Sequence, residues 1–354
     1  MKLIIAGEKS RFVHLKDFGD ALTRLNVEYR LVHDVDFINR TLDINFIGRI
    51  QTPIRFKKLI EEYKPDAVLL DRPTELGLLV LKMKIPFFVL IRGDIWAEVK
   101  LVRETLHRSP IRCIALWRRQ KIQDRCFRGA KSILPISNYL EKIVRTHYPN
   151  KSIIVLPADG RNPSEWFHVD NMELKHPCVG LLQGATIWGK VEEMFTLPKV
   201  LEAMPHVTFY WAGDGHYKNL IFEKLQKYNN FKWLGSLQYP DVVRKYLSGI
   251  DVYALFSGMD ALGQTIIEAQ LMEKPVIATR AGGIPEVIED DKTGFLVEKG
   301  DYKRWIEKIS FLINDNKKAR QIASAGRKFA VENFSWDRIA EKFIVILNMH
   351  LKNS

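Results

Sequence analysis

Short apolar runs alternate with longer stretches of helical period twice over along these 354 residues, and that alternation leaves few folds open. In the first half the runs fall at 3–6, 29–32, 67–70, 87–91, 133–136 and 153–156. Between several of them lie 54–63, 118–128 and 139–147, where apolar side chains recur every three or four positions. Strands joined by helical crossovers pair in parallel, so the series predicts a doubly wound α/β sheet. The second half repeats the plan with runs at 179–183, 207–212, 231–234, 252–255, 276–279 and 295–297. A Pro- and Asn-containing stretch, 157–177, separates the two series, and the tail (302–314, 316–334, 336–351) is nearly all helix-forming. We therefore expect two Rossmann-like domains, 1–165 and 175–334, followed by a last helix in 335–354.

Composition narrows the class. Apolar residues make up 46% and charged residues 27% of the chain, which are globular values. No apolar run approaches the roughly 20 residues of a bilayer-crossing helix, and the opening seven residues read as a strand rather than a signal peptide. Cys113, Cys126 and Cys178 are odd in number and lack metal-ligand spacing, which points to a reducing cytoplasm. The net charge of +12 is unevenly placed: residues 1–165 hold 30 Lys and Arg against 19 Asp and Glu. Within them, residues 100–131 carry ten bases against Glu104 and Asp124. Such a patch attracts phosphate, whether on nucleic acid, on anionic lipid or on a charged substrate; the plain alternative is a solvated helix face.

Ligands of open α/β sheets bind beyond the carboxyl ends of the strands. The residues there include Arg92-Gly93-Asp94 in the first half and Gly184-Ala185, Gly213-Asp214-Gly215 and Phe256-Ser257 in the second. The most informative stretch is 251–300. A strand ends at Phe256, and Ala261-Leu262-Gly263-Gln264-Thr265 opens a helix that continues past Glu268. Unpaired amides at a helix start, with the helix dipole, make a phosphate site. Asp260 lies just before that helix and Glu268 inside it, as suits a nucleoside diphosphate sugar: amides for the diphosphate, one carboxylate for sugar hydroxyls and one for ribose.

Here the chain resembles the family-four, retaining glycosyltransferases of the GT-B fold. The motifs are Ser257-Gly258-Met259-Asp260-Ala261-Leu262-Gly263, Glu268-Ala269, Lys274-Pro275-Val276, Gly282-Gly283-Ile284-Pro285-Glu286 and Thr293-Gly294-Phe295-Leu296-Val297, in the family's order and spacing. Asp260 replaces the first Glu of the family's paired-Glu signature. Ala212-Gly213-Asp214-Gly215, Trp233-Leu234-Gly235 and Phe334-Ser335-Trp336 are similar to further family landmarks, the last opening a helix that returns to the first domain. The resemblance is dense over the second domain and only in outline over the first.

The resemblance implies two Rossmann-like domains facing a cleft. It also implies transfer of a sugar from a UDP- or GDP-type donor to a hydroxyl of a glycan, lipid-linked or phosphate-bearing acceptor, with no cofactor and no metal. Gly184, Lys190, Leu234, Leu262, Gly263, Gln264, Thr265 and Glu268 become the expected donor contacts, and Asp260, with Asp94 and Arg92 at a strand end, the expected catalytic set. Close phosphate approach suits the bare Gly263. Where the family carries an Arg six residues before Val191, this chain has Ala185, a loss of about 1.5–3 kcal/mol if that bond was charge-assisted. A basic residue from elsewhere makes this up, or the enzyme is slow or its donor unusual. Asp34-Val35-Asp36 superficially matches a metal-binding Asp-x-Asp but stands in the wrong domain for it. Trp96, Leu101, Leu106, Ile111, Ile114, Leu116 and Trp117 interleave the basic segment, as at an anionic membrane surface. Nucleic acid is not the expected partner. The competing reading is a phosphate- or nucleic-acid-binding protein on an inactive GT-B scaffold.

Overall fold

A computed structural model of the chain describes residues 1–37, 46–106 and 110–351; the side chains of 35, 46–52, 101–106 and 110–112 also stand outside the description. The chain divides into two compact units, Met1–Gly160 with Trp336–Ser354, and Arg161–Ser335.

Unit 1 is a five-stranded sheet of β1 (Lys2–Gly7), β2 (Glu28–His33), β3 (Ala67–Leu70), β4 (Phe87–Ile91) and β5 (Ser132–Pro135), in the order β2-β1-β3-β4-β5. Every pairing is parallel. β3 and β4 are buried at every position, as continuous apolar runs must be when helices cover both faces. The expected strand at 153–156 is not completed: the segment forms one bridge, Ile133 to Ile153, with the Ile154 and Leu156 amides donating to Ile133 O and Pro135 O. Its partner strand ends in Pro135, which has no N–H to extend a ladder. The helix Trp336–Leu351 completes this unit: Phe343 packs edge-on against Phe88, at 5.8 Å, and beside Phe18, at 5.6 Å. Trp336 lies 5.4 Å from Phe18 and Arg24 pairs with Asp337.

Unit 2 is a six-stranded parallel sheet of β6 (Cys178–Leu182), β7 (Thr208–Ala212), β8 (Phe231–Gly235), β9 (Val252–Leu255), β10 (Val276–Thr279) and β11 (Phe295–Val297), ordered β11-β10-β9-β6-β7-β8. Its core includes Phe209, Trp211 and a stacked pair, Phe256 on Trp305, 3.7 Å between centroids. The tail helices Tyr302–Asn314 and Asn316–Phe334 start where Asp301 and Asp315 accept the Arg304 and Lys318 amides, the usual capping bond of a short acid. The boundary between the units falls at Gly160/Arg161 rather than near 165. The Arg161 amide donates to Phe334 O at 3.0 Å and so already belongs to the second unit.

Both strand orders reverse once, between β1 and β3 in unit 1 and between β6 and β9 in unit 2. Loops leaving neighbouring strands at such a reversal part to opposite faces and open a crevice, and that is where each unit carries its charged side chains.

Candidate active site

In unit 2 the crevice lies between the loop after β6 and the loop after β9. Gln183 ties them: its buried amide nitrogen donates to Lys190 O and to Phe256 O, both at 2.7 Å. The β9 loop then runs through Asp260 to Gly263, whose φ of +95° only glycine adopts readily, and turns into the helix Gln264–Leu271. Gly283 shows why the Gly-Gly motif accompanies this turn. A Cβ there would sit 2.1 Å from Ala261 O, and its amide donates to Asp260 O at 2.9 Å. Glycine at 283 thus lets a second loop press on the Asp260 turn and fix it.

Lys190 reaches Asp260 Oδ2 at 3.1 Å, so the two residues named for the diphosphate and the sugar stand side by side. Asp260 also accepts from the Gly263 amide at 3.2 Å and, at 3.4 Å, from that of Leu262. This corrects the expectation of open amides from 262 onward: those of Leu262 and Gly263 are taken by Asp260, and the amides of Gln264 and Thr265 are the ones at the bare helix start. The Thr265 hydroxyl accepts from Tyr253 at 2.6 Å; burial pushes that phenol well above its ordinary pKa, so it stays a donor.

Glu268, one turn on, is 2% exposed. Its Oε1 accepts both Nε and a terminal nitrogen of Arg161, at 2.8 and 2.6 Å, and the Tyr239 hydroxyl at 3.3 Å. Arg161 is 3% exposed. Glu268 is therefore held inside a charged pair rather than presented bare, and neither Arg161 nor Tyr239 was foreseen. An arginine in a Pro- and Asn-containing connection carries no sequence sign that it is buried. Ala185 is fully buried in the core, its amide bonded to Asp214 O and its carbonyl to the Tyr217 amide, so no cation stands at that position. Gly184 has room beside it, the nearest atom to an added Cβ being Asp214 O at 3.9 Å. Leu234 lies on the edge strand β8, two strands from β6.

Unit 1 differs from expectation more. Arg92 donates to Asp71 Oδ1 at 2.7 Å, to Ala158 O at 2.5 Å and to Asp159, which also takes Arg11 at 2.7 Å. Its guanidinium cross-links the ends of β3 and β4 and the 158–159 segment, so Arg92 braces the unit. Asp94 Oδ1 accepts the Trp96 and Ala97 amides, at 3.1 and 2.9 Å, and caps the helix Ile95–Leu106. Asp34 is 1% exposed and pairs with Arg72, which fits a structural carboxylate. Of the basic segment 100–131, the side chains of Arg103, Arg108 and Arg112 lie outside the described residues. His176, Cys178 and Asp251 bring three ligand atoms within 4.8 Å at the amino ends of β6 and β9, away from the crevice. Asp251 also acts on the Lys274 ammonium, which would oppose a cation, so we assign no metal there.

Two parallel α/β units, the second with a bare helix start and a neighbouring lysine, have the GT-B architecture. Residues 192–329, within unit 2, match the family described as glycosyl transferases group 1. The chain is 34% identical to a sulfoquinovosyl transferase of Arabidopsis thaliana over 151 residues, 42% of this chain and 29% of that one. It is 28% identical to the capsular polysaccharide biosynthesis glycosyltransferase CapM of Staphylococcus aureus over 240 residues, 64% of this chain and 63% of that one. Both matches thus span less than two thirds of the relative. The Anabaena protein HepE, solved in complex with UDP-glucose, has the same fold over 99% of this chain and 100% of that one, with a TM-score of 0.71 and 17% identity.

Proposed function

We propose that the protein is a glycosyltransferase that moves a sugar from a nucleoside diphosphate donor to an acceptor hydroxyl in glycan, polysaccharide or glycolipid synthesis. The observation that carries the reading is the Lys190–Asp260 pair at 3.1 Å beside the helix that starts at Gln264. A leaving diphosphate gathers negative charge, and a lysine with free helix-start amides neutralises it in a fixed arrangement. Those groups do the work given elsewhere to a metal ion, so we assign no metal or cofactor to the reaction. Asp260 is the group beside the sugar and Glu268 the group beside the ribose. Retention of configuration follows from the family resemblance, as does acceptor binding by unit 1. The UDP-glucose complex of HepE favours a uridine nucleotide as the first donor to try. Three unbridged cysteines suit a cytoplasmic protein.

The test is thermal shift with UDP, GDP, ADP and their sugar conjugates on the wild type and on Lys190→Ala. Lys190 is partly exposed, so its removal leaves the fold intact. Stabilisation by one diphosphate family, lost in the variant, supports the reading and identifies the base. No shift with any nucleotide overturns it in favour of a binding protein on an inactive scaffold.

A further inference from the structure

Arg161 is the first residue of unit 2, and the chain around it is fastened to that unit at several points. Its amide donates to Phe334 O at 3.0 Å. Arg327 donates to Trp166 O at 2.8 Å and also to Leu271 O, at the end of the helix that starts at Gln264. The Trp166 ring, buried itself, lies 5.9 Å from that of Tyr239. The Arg161 guanidinium is thereby carried into the interior, where Nε and a terminal nitrogen both meet Oε1 of Glu268. Tyr239 donates to the same oxygen, so Oε1 has three donors, whereas Oε2 has none among the described residues.

The balance of charge here gives Arg161 a role beyond packing. Lys190 already stands beside Asp260 at 3.1 Å, and position 185 holds a buried alanine. Glu268 comes four residues into the helix, about 6 Å along its axis from Gln264. A carboxylate there competes with a phosphate for the same positive helix end. Its charge and that of Asp260 both act on Tyr253, whose hydroxyl meets Thr265 at 2.6 Å, so the two acids share one neighbourhood. Without Arg161 these groups would be one lysine against two carboxylates, a poor receptor for a diphosphate. We propose that Arg161 is a positioning residue that makes this helix start fit for a diphosphate: it cancels the charge of Glu268 and leaves Oε2 for a ribose hydroxyl. It does so without touching phosphate, and so supplies the electrostatic part of what an arginine at 185 would have given. The role rests on the nucleotide reading of the helix start. An ion pair that only braced the fold would make the same contacts but would act on nucleoside and nucleoside diphosphate alike.

The experiment is calorimetric titration of the full chain with uridine, UDP, guanosine and GDP. It compares the wild type, Arg161→Met, Glu268→Gln and the double variant Arg161→Met with Glu268→Gln. The quantity read is the ratio of nucleoside Kd to nucleoside diphosphate Kd, which isolates the diphosphate from the rest of the ligand. Arg161→Met should lower that ratio at least about tenfold, because an uncancelled charge a few ångströms away repels a polyanion even at an effective dielectric constant near 20. The double variant carries neither charge and should bring the ratio back to within about threefold of the wild type, with both ligands weakened by loss of the Glu268 acceptor. Should Arg161→Met fail to fold, Glu268→Gln reads the same interaction with the opposite sign: it frees the charge of Arg161 and should raise the ratio. A ratio unchanged in Arg161→Met, still low in the double variant, or unchanged or lowered in Glu268→Gln overturns the proposal and leaves the pair a brace. Wild type that binds neither UDP nor GDP overturns the nucleotide reading itself, and the proposal with it.

Discussion

The two units answer the same topological problem in opposite ways. In unit 2 the crevice at the strand reversal is shaped by backbone: a left-handed glycine, a close-packed Gly-Gly turn and helix-start amides, with the carboxylate of Glu268 sealed against Arg161. In unit 1 the corresponding edge is filled by side-chain charge, where Asp71, Asp159, Arg11 and Arg92 lock one another in place. Amides and glycines leave room for a phosphate without spending a side chain on it. A chain of alternating arginines and aspartates braces the strands but has few donors left for a ligand. The difference favours unit 2 as the place of the nucleotide in the proposed reaction.

The sharpest break of that contrast is Arg161→Met, which leaves the buried Glu268 carboxylate without its cation and should cost about 3–5 kcal/mol in urea unfolding. A loss under 1 kcal/mol would mean that the pair is not sealed. Next comes Lys190→Ala, which should weaken nucleoside diphosphate binding by about 10- to 100-fold in calorimetry, the worth of a charge-assisted bond. An unchanged affinity would move the phosphate site elsewhere. Asp159→Ala should cost unit 1 about 1–3 kcal/mol, because Arg92 keeps Asp71 and Arg11 can turn to solvent, while nucleotide binding is unchanged. Smallest is Ser137→Ala, which removes the cap on the Leu140 amide and should lower stability by about 1 kcal/mol without touching either edge.

The same contrast explains what could be read from the chain. Glycines at 263, 282 and 283 sit at positions where a positive φ or a close approach of backbone demands them, so their spacing carries the geometry into the sequence. The strands were legible because buried parallel strands are continuous apolar runs; 67–70, 87–91, 252–255, 276–279 and 295–297 begin and end as their runs do. The segment 153–156 has the same composition but lies beside a proline, and composition does not reveal a missing ladder bond. Arg92 illustrates the harder case. A charge after a strand has one sequence signature whether it meets substrate or a buried aspartate from 21 residues before it, and only the fold brings Asp71 and Asp159 to it. Arg161 and Gln183 escaped for the same reason, since their partners are 107 and 73 residues away.

The helix Trp336–Leu351 has a consequence for the order in which the protein is made. It supplies Trp336 and Phe343 to the core around Phe18 and Phe88, yet it is separated from the rest of unit 1 by the whole of unit 2. Domains generally fold as units while the chain leaves the ribosome. Unit 2 is one continuous stretch and can close as soon as residue 335 has emerged. Unit 1 begins first but keeps an open apolar face until residue 351 is clear, so the half of the protein synthesised first is the half finished last.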